Sequence, residues 1–249
     1  MESGFIRGIF INYVPSIKKM KRIVLALFFS DALLNLWSEY MQHELLILFS
    51  KPLLMALLAG WFFLQIRPLS HPLPKWVLAG LIFSIGGDTL LMLVENGPGE
   101  EHYFLLGLGS FLLAQLCYLA GFLSYPKARQ EGTLRNRPLA AWPFLLFLIG
   151  LLGMLWPGIG AGLKAPVVIY AAAIVGMALA AFNLRALLSR EHYLGLMAGV
   201  LLFVLSDSLI AINKFANPVP LARIWIMVTY IAGQYFIARN VAAFAPQQK

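Results

Sequence analysis

Charge is scarce in this sequence. Only 12% of its 249 residues are Asp, Glu, Lys or Arg, about half the share of an ordinary soluble domain. Against that, 60% are apolar and the mean hydropathy is +0.78. A soluble single-domain enzyme and a disordered chain are both excluded by this balance. Cysteine is scarcer still: the lone Cys117 can form neither an internal disulfide nor a cysteine zinc cage. His43, His71, His102 and His192 are far apart and lack the H-E-x-x-H spacing, so no metal centre is indicated and no cofactor is expected. G-I-G-A-G (Gly158 to Gly162) follows no strand, and G-L-G-S-F around Ser110 lacks the second glycine of a nucleophile elbow. Phosphate-loop and serine-hydrolase chemistry are therefore not indicated.

What is present is a series of long apolar runs. Eight of them suit about 30 Å of hydrocarbon and predict helices over 23–38, 45–66, 76–94, 103–124, 139–156, 166–188, 194–212 and 221–243. The expected organisation is a basic segment 1–22, a membrane domain 23–243 and a tail 244–249. The first run is short, carries Asp31 and Asn35, and follows Lys18, Lys19, Lys21 and Arg22. No small-x-small cleavage site follows it, so it reads as a helix rather than a signal peptide.

The formal charge of +8 is a topology signal, not a nucleic-acid surface. Arg67, Lys75, the Lys127/Arg129/Arg135/Arg137 cluster, Arg185 and Arg190 fall in alternate loops. The positive-inside rule then places both termini in the cytoplasm. Glu39, Glu44, Glu95, Glu100 and Glu101 fall to the opposite side. The expected location is a multi-pass protein of the inner membrane in a bacterium, or of the endoplasmic reticulum in a eukaryote.

Sliding the chain on itself by 119 residues lays Ala79–Leu91 on Ala198–Ile210, with Asp88 on Asp207. At the same ungapped offset Gln115 falls on Gln234, and Lys51 falls on Tyr170. The predicted fold is thus all-α, with eight transmembrane helices built as two parallel four-helix repeats, about 23–124 and 139–243.

Ionisable side chains inside a membrane are costly and usually functional. Asp31, Lys51, Asp88 and Asp207 all fall about 8–10 Å from the non-cytoplasmic ends of their predicted helices, at ~1.5 Å of rise per residue. A common depth allows one pocket in which Asp88, Asp207, Lys51 and Tyr170 converge. Gln115, Gln234 and Tyr230 are expected to line its floor. The structural alternative makes Lys51 the ion partner of one aspartate, with Ser206 and Ser208 bonded to carbonyls of their own helix. For Asp31, which has no repeat partner, a structural role is the expectation.

K-P-L (Lys51 to Leu53), G-D-T-L-L (Gly87 to Leu91), L-S-D-S-L-I-A-I-N-K-F (Leu205 to Phe215) and T-Y-x-x-G-Q-Y (Thr229 to Tyr235) carry a family likeness. Together they resemble the YhhN-like lysoplasmalogenase family, over about residues 45 to 239. The resemblance implies a multi-pass hydrolase that cleaves the vinyl ether bond of a lysophospholipid within the bilayer, using water. It also implies that the family's two essential aspartates are Asp88 and Asp207, its lysine Lys51 and its late asparagine Asn213.

The residues suit that chemistry. A vinyl ether is hydrolysed by protonating its β-carbon, which leaves an oxocarbenium ion for water to capture. Two carboxyls in unlike environments can divide these tasks, one holding the proton and the other the charge. The rival reading is a proton-coupled transporter or carrier of a small amphiphile, using the same buried aspartates.

Overall fold

The structure is a computed structural model that describes the backbone of residues 2–68, 71–96 and 100–245, and no side chain within 1–16 or 94–101. Residues 97–99 of the predicted acidic loop, the side chains of Glu95, Glu100 and Glu101, and residues 246–249 of the predicted tail lie outside the described residues. Among the described residues there is no strand. The long helices are α1 (Glu2–Met41), α2 (Glu44–Gln65), α3 (Pro72–Asn96), α4 (Glu100–Leu123), α5 (Trp142–Leu155), α6 (Lys164–Asn183), α7 (Arg190–Phe215) and α8 (Ala222–Phe244).

Seven candidate membrane spans are present among the described residues, in α1 to α7. α8 has the length but not the apolar character of the others. Its polar residues include Arg223, Gln234, Arg239 and Asn240. Packing explains how it carries them: α8 lies along α7 and also touches α1, α2 and α3, so much of its surface meets protein. The expectation of eight spans is thus met for seven. α1 departs most from its predicted bounds. It continues to Met41, which brings Glu39 into the bundle rather than into a loop.

The most extensive pairings are α3 with α4, α7 with α8 and α1 with α2. The α7–α8 crossing rests on two glycines. A Cβ on Gly199 would stand 2.7 Å from the Ile237 backbone N, and one on Gly233 would stand 2.9 Å from that of Phe203. Neither neighbour is a flexible side-chain tip, so the helix backbones approach as small residues allow. Gly199→Val is expected to destabilise the protein by about 1–3 kcal/mol, the usual range for overpacking. Thermal unfolding in detergent should register it, while Gly109→Val, where a Cβ meets nothing within 4 Å, should cause no loss.

Candidate functional site

The predicted polar residues gather toward one end of the bundle. That end holds the C-terminal parts of α1, α3 and α7 and the N-terminal parts of α2, α6 and α8. Asp207, on α7, is 7% exposed. Its Oδ2 accepts hydrogen bonds from the Tyr170 hydroxyl at 2.6 Å and from Gln115 Nε2 at 2.8 Å. Asp88, on α3, is 3% exposed and accepts at Oδ2 from the Tyr230 hydroxyl at 2.8 Å. Asp88 lies within electrostatic reach of Asp207, Lys51 and Glu39. Tyr230 thus reaches Asp88 from the opposite half of the chain, whereas Asp207 is held by Tyr170 from its own half and by Gln115 from the other, so the two aspartates have unlike surroundings.

Lys51 does not pair with either aspartate. Its ammonium lies 3.3 Å from Glu39 on α1, whose other oxygen is 3.8 Å from the guanidinium of Arg223. Glu39 is buried, and a buried carboxylate needs such partners. Sequence reasoning assigned it to a loop because the first apolar run stops just before it. The signal that was available is the one-turn spacing of Asn35 and Glu39, polar residues on one helical face. Asn35 is likewise buried and donates to Ser50 on α2 at 2.9 Å.

Gln234 is placed elsewhere than expected. It accepts from the Tyr118 hydroxyl at 2.6 Å and donates to Ser84 Oγ at 3.0 Å, with no aspartate among these partners. Tyr118 was missed because a tyrosine in an apolar helix reads as core. Its only signal was its position three residues after Gln115. Ser206 donates across to the Ile226 carbonyl of α8 at 3.1 Å, whereas Ser208 does bond within its helix, to Val204 O at 2.7 Å. Asn213 is exposed and its Oδ1 accepts from Val219 N at 2.9 Å, closing the turn between α7 and α8. Asp31 is buried, and its Oδ2 has no hydrogen-bond partner among the described residues.

Two cavities meet beside these residues. A narrow apolar slot of about 50 Å³ is bordered by Tyr170 and Asp207 together with Phe111, Val167 and Ile174. A second cavity of about 280 Å³ is bordered by Glu39, Lys51, Asn213, Lys214 and Arg223. Leu91, Phe104 and Ile210 border both, so an apolar compartment adjoins a cationic one. Lys214 also lies 4.2 Å from the centre of the Phe104 ring, a cation–π contact at that shared wall. Asp88 borders neither cavity. Among the described residues no cluster of His, Cys, Asp and Glu is placed to hold a metal ion.

A model of the YhhN family matches residues 46–241. The chain is 33% identical over 172 residues to a lysoplasmalogenase of Mycobacterium bovis, covering 68% of this chain and 62% of the relative. It is 32% identical over 186 residues to lysoplasmalogenase TMEM86A of Bos taurus, covering 72% and 71%. It is 36% identical over 162 residues to lysoplasmalogenase TMEM86B of Sus scrofa, covering 65% and 61%. The match thus spans less than two thirds of the mycobacterial relative. No solved structure matches the chain.

Proposed function

The chain belongs to the YhhN family, and from that premise we propose that it is a lysoplasmalogenase-type hydrolase. Its substrate is an alkenyl-lysophospholipid, and its products are a fatty aldehyde and a glycerophospho-head group. The observation that carries this reading is a buried carboxyl, Asp207, bordering an apolar slot that adjoins a cationic cavity. A lysophospholipid has the same order of parts: an apolar chain, the reactive bond, and a phosphate.

The hydrogen bonds suggest a division of labour. Asp207 Oδ2 is occupied by two donors, so a proton on this carboxyl belongs on Oδ1. Asp207 also borders the slot, which suits it to give that proton to the β-carbon. Asp88, within electrostatic reach, carries the charge that stabilises the oxocarbenium ion. The carboxylate left on Asp207 then takes a proton from water as the water adds to the cation, which restores the acid and leaves a hemiacetal. Collapse of the hemiacetal moves its hydroxyl proton to the glycerol oxygen and releases the aldehyde. One water is consumed, and no electrons are exchanged.

We place α8 as the eighth span and α1–α4 and α5–α8 as parallel repeats. The contacts of α8 with four other helices and the Asp88/Asp207 correspondence support this. We place both termini in the cytoplasm, with the site near the opposite face. Gly160, in the turn between α5 and α6, is exposed, and the native Cys117 is buried. Gly160→Cys should therefore react with an impermeant maleimide added to intact cells. Reaction only after permeabilisation would reverse the orientation.

Purified protein in detergent, with no gradient, is expected to release aldehyde from an alkenyl-lysophospholipid. Movement of the intact lipid in sealed vesicles without aldehyde release would favour a carrier instead.

A further inference from the structure

The slot beside Asp207 is too small for a whole lipid chain. Its volume of about 50 Å³ holds a few waters, since each needs roughly 10–15 Å³. A bound lysolipid must put the rest of its tail elsewhere. A groove of about 650 Å³ runs where α5, α6 and α7 meet, and its walls include Phe147, Gly150, Met154 and Leu205. Leu151 and Ser208 border both groove and slot. The Ser208 hydroxyl is turned onto its own helix, so this shared threshold presents little polarity.

The helix that flanks the groove is fixed at its ends and open between them. Phe144 packs ring to ring with Phe182 at 5.4 Å, while Leu155 and Ile159 cluster with Val167. Between these anchors a Cβ on Gly150 would meet nothing within 4 Å. The α5 span is also the least buried of the seven candidates, at 11%. Cationic cavity, slot and groove thus adjoin in series, through Leu91, Phe104 and Ile210 and then through Leu151 and Ser208.

We propose that this groove is the binding site for the distal part of the substrate's alkenyl chain, which enters laterally from the bilayer between α5 and α7. The inference rests on the hydrolase reading above and adds to it a tail subsite and a route. Lipid tails are as apolar as the groove, so a chain moves between them without a hydrophobic penalty. Leu151 and Ser208 then form the threshold that the vinyl ether end crosses to reach Asp207.

Gly150→Trp fills the groove from a position with free space around it, and tryptophan is a better helix former than glycine. Gly153→Trp is the control: its Cβ position is equally open, but Gly153 does not border the groove. Gly150→Trp is expected to lower kcat/KM for a hexadecenyl-lysophospholipid about tenfold or more, and to leave a butenyl analogue within about twofold. Gly153→Trp should leave both unchanged. Equal losses on both substrates, no loss on either, or the same selective loss in Gly153→Trp would overturn the tail subsite.

A second readout does not depend on turnover. A saturated alkyl-ether lysophospholipid with a diazirine midway along its chain cannot be hydrolysed as a vinyl ether. It should label peptides of α5 and α7, with labelling abolished by Gly150→Trp. Labelling confined to other helices would sink the inference even in a protein that shows no hydrolysis. Correct labelling without aldehyde release would instead uphold the groove as a lipid site and count against the hydrolase reading.

Discussion

Asp207→Asn is expected to lower kcat about 10²–10⁴-fold, the usual contribution of a positioned acid or base. The substitution keeps the shape of the side chain, and the amide oxygen can still accept from Tyr170 and Gln115, so the protein should insert and purify normally. What it removes is the exchangeable proton. Asp88→Asn should cause a loss of similar order, because the cation then forms beside a neutral amide rather than a carboxylate. Tyr170→Phe removes one of the two donors on Asp207 and should cost far less, about 2–10-fold, as for a single hydrogen bond. Asp31→Asn should retain most activity, since Asp31 borders neither cavity and, unlike Asp207, Lys51 and Glu39, is not among the charges that act on Asp88. These rates require only a quantified aldehyde trap. Near-normal turnover by a well-folded Asp207→Asn or Asp88→Asn protein would remove that residue from the chemistry.

Lys51→Met is expected to raise KM for the phosphorylated substrate about 10–100-fold, the range for losing a hydrogen bond to a charged group. Lys51, Lys214 and Arg223 border one cavity with a single carboxylate, Glu39, which leaves a positive excess suited to a phosphate. Lysine serves such a role as a point charge. Lys51 is also the strongest single charge acting on Asp88, with Asp207 and Glu39 opposing it, but the carboxylate it contacts is Glu39, at 3.3 Å. An alkenyl glycerol without phosphate should therefore be hydrolysed almost equally by both proteins. If Lys51 acted mainly on Asp88, both substrates would lose alike and their pH–rate profiles would shift together. Measuring both substrates across pH separates the two roles.

The helices were legible because apolar runs of membrane length leave few other ways to satisfy the backbone. The aspartates were legible for the converse reason, as charged residues within such runs. Their partners were only partly so. Tyr170 and Gln115 were placed near the pocket by depth and by the repeat offset, and both reach Asp207. Gln234, identified by the same offset, turns instead to Tyr118 and Ser84, because a common depth does not fix the rotation of a helix. Glu39 was hidden for another reason. A charged residue at the end of an apolar run looks like the start of a loop, and its ion partners lie on other helices, Lys51 on α2 and Arg223 far along the chain on α8. α8 itself was legible as a helix, but its modest hydropathy makes sense only once its four helical neighbours are known.

The central claim is that this protein cleaves a vinyl ether by protonating carbon. The most direct test is to run the reaction in D₂O and trap the aldehyde at once by reduction. Transfer of the proton to the β-carbon should leave a single deuterium on the carbon next to the former carbonyl, in product that Asp207→Asn forms about 10²–10⁴-fold more slowly. Aldehyde that carries no deuterium at that carbon, or no aldehyde at all from purified and well-folded protein, would contradict the account.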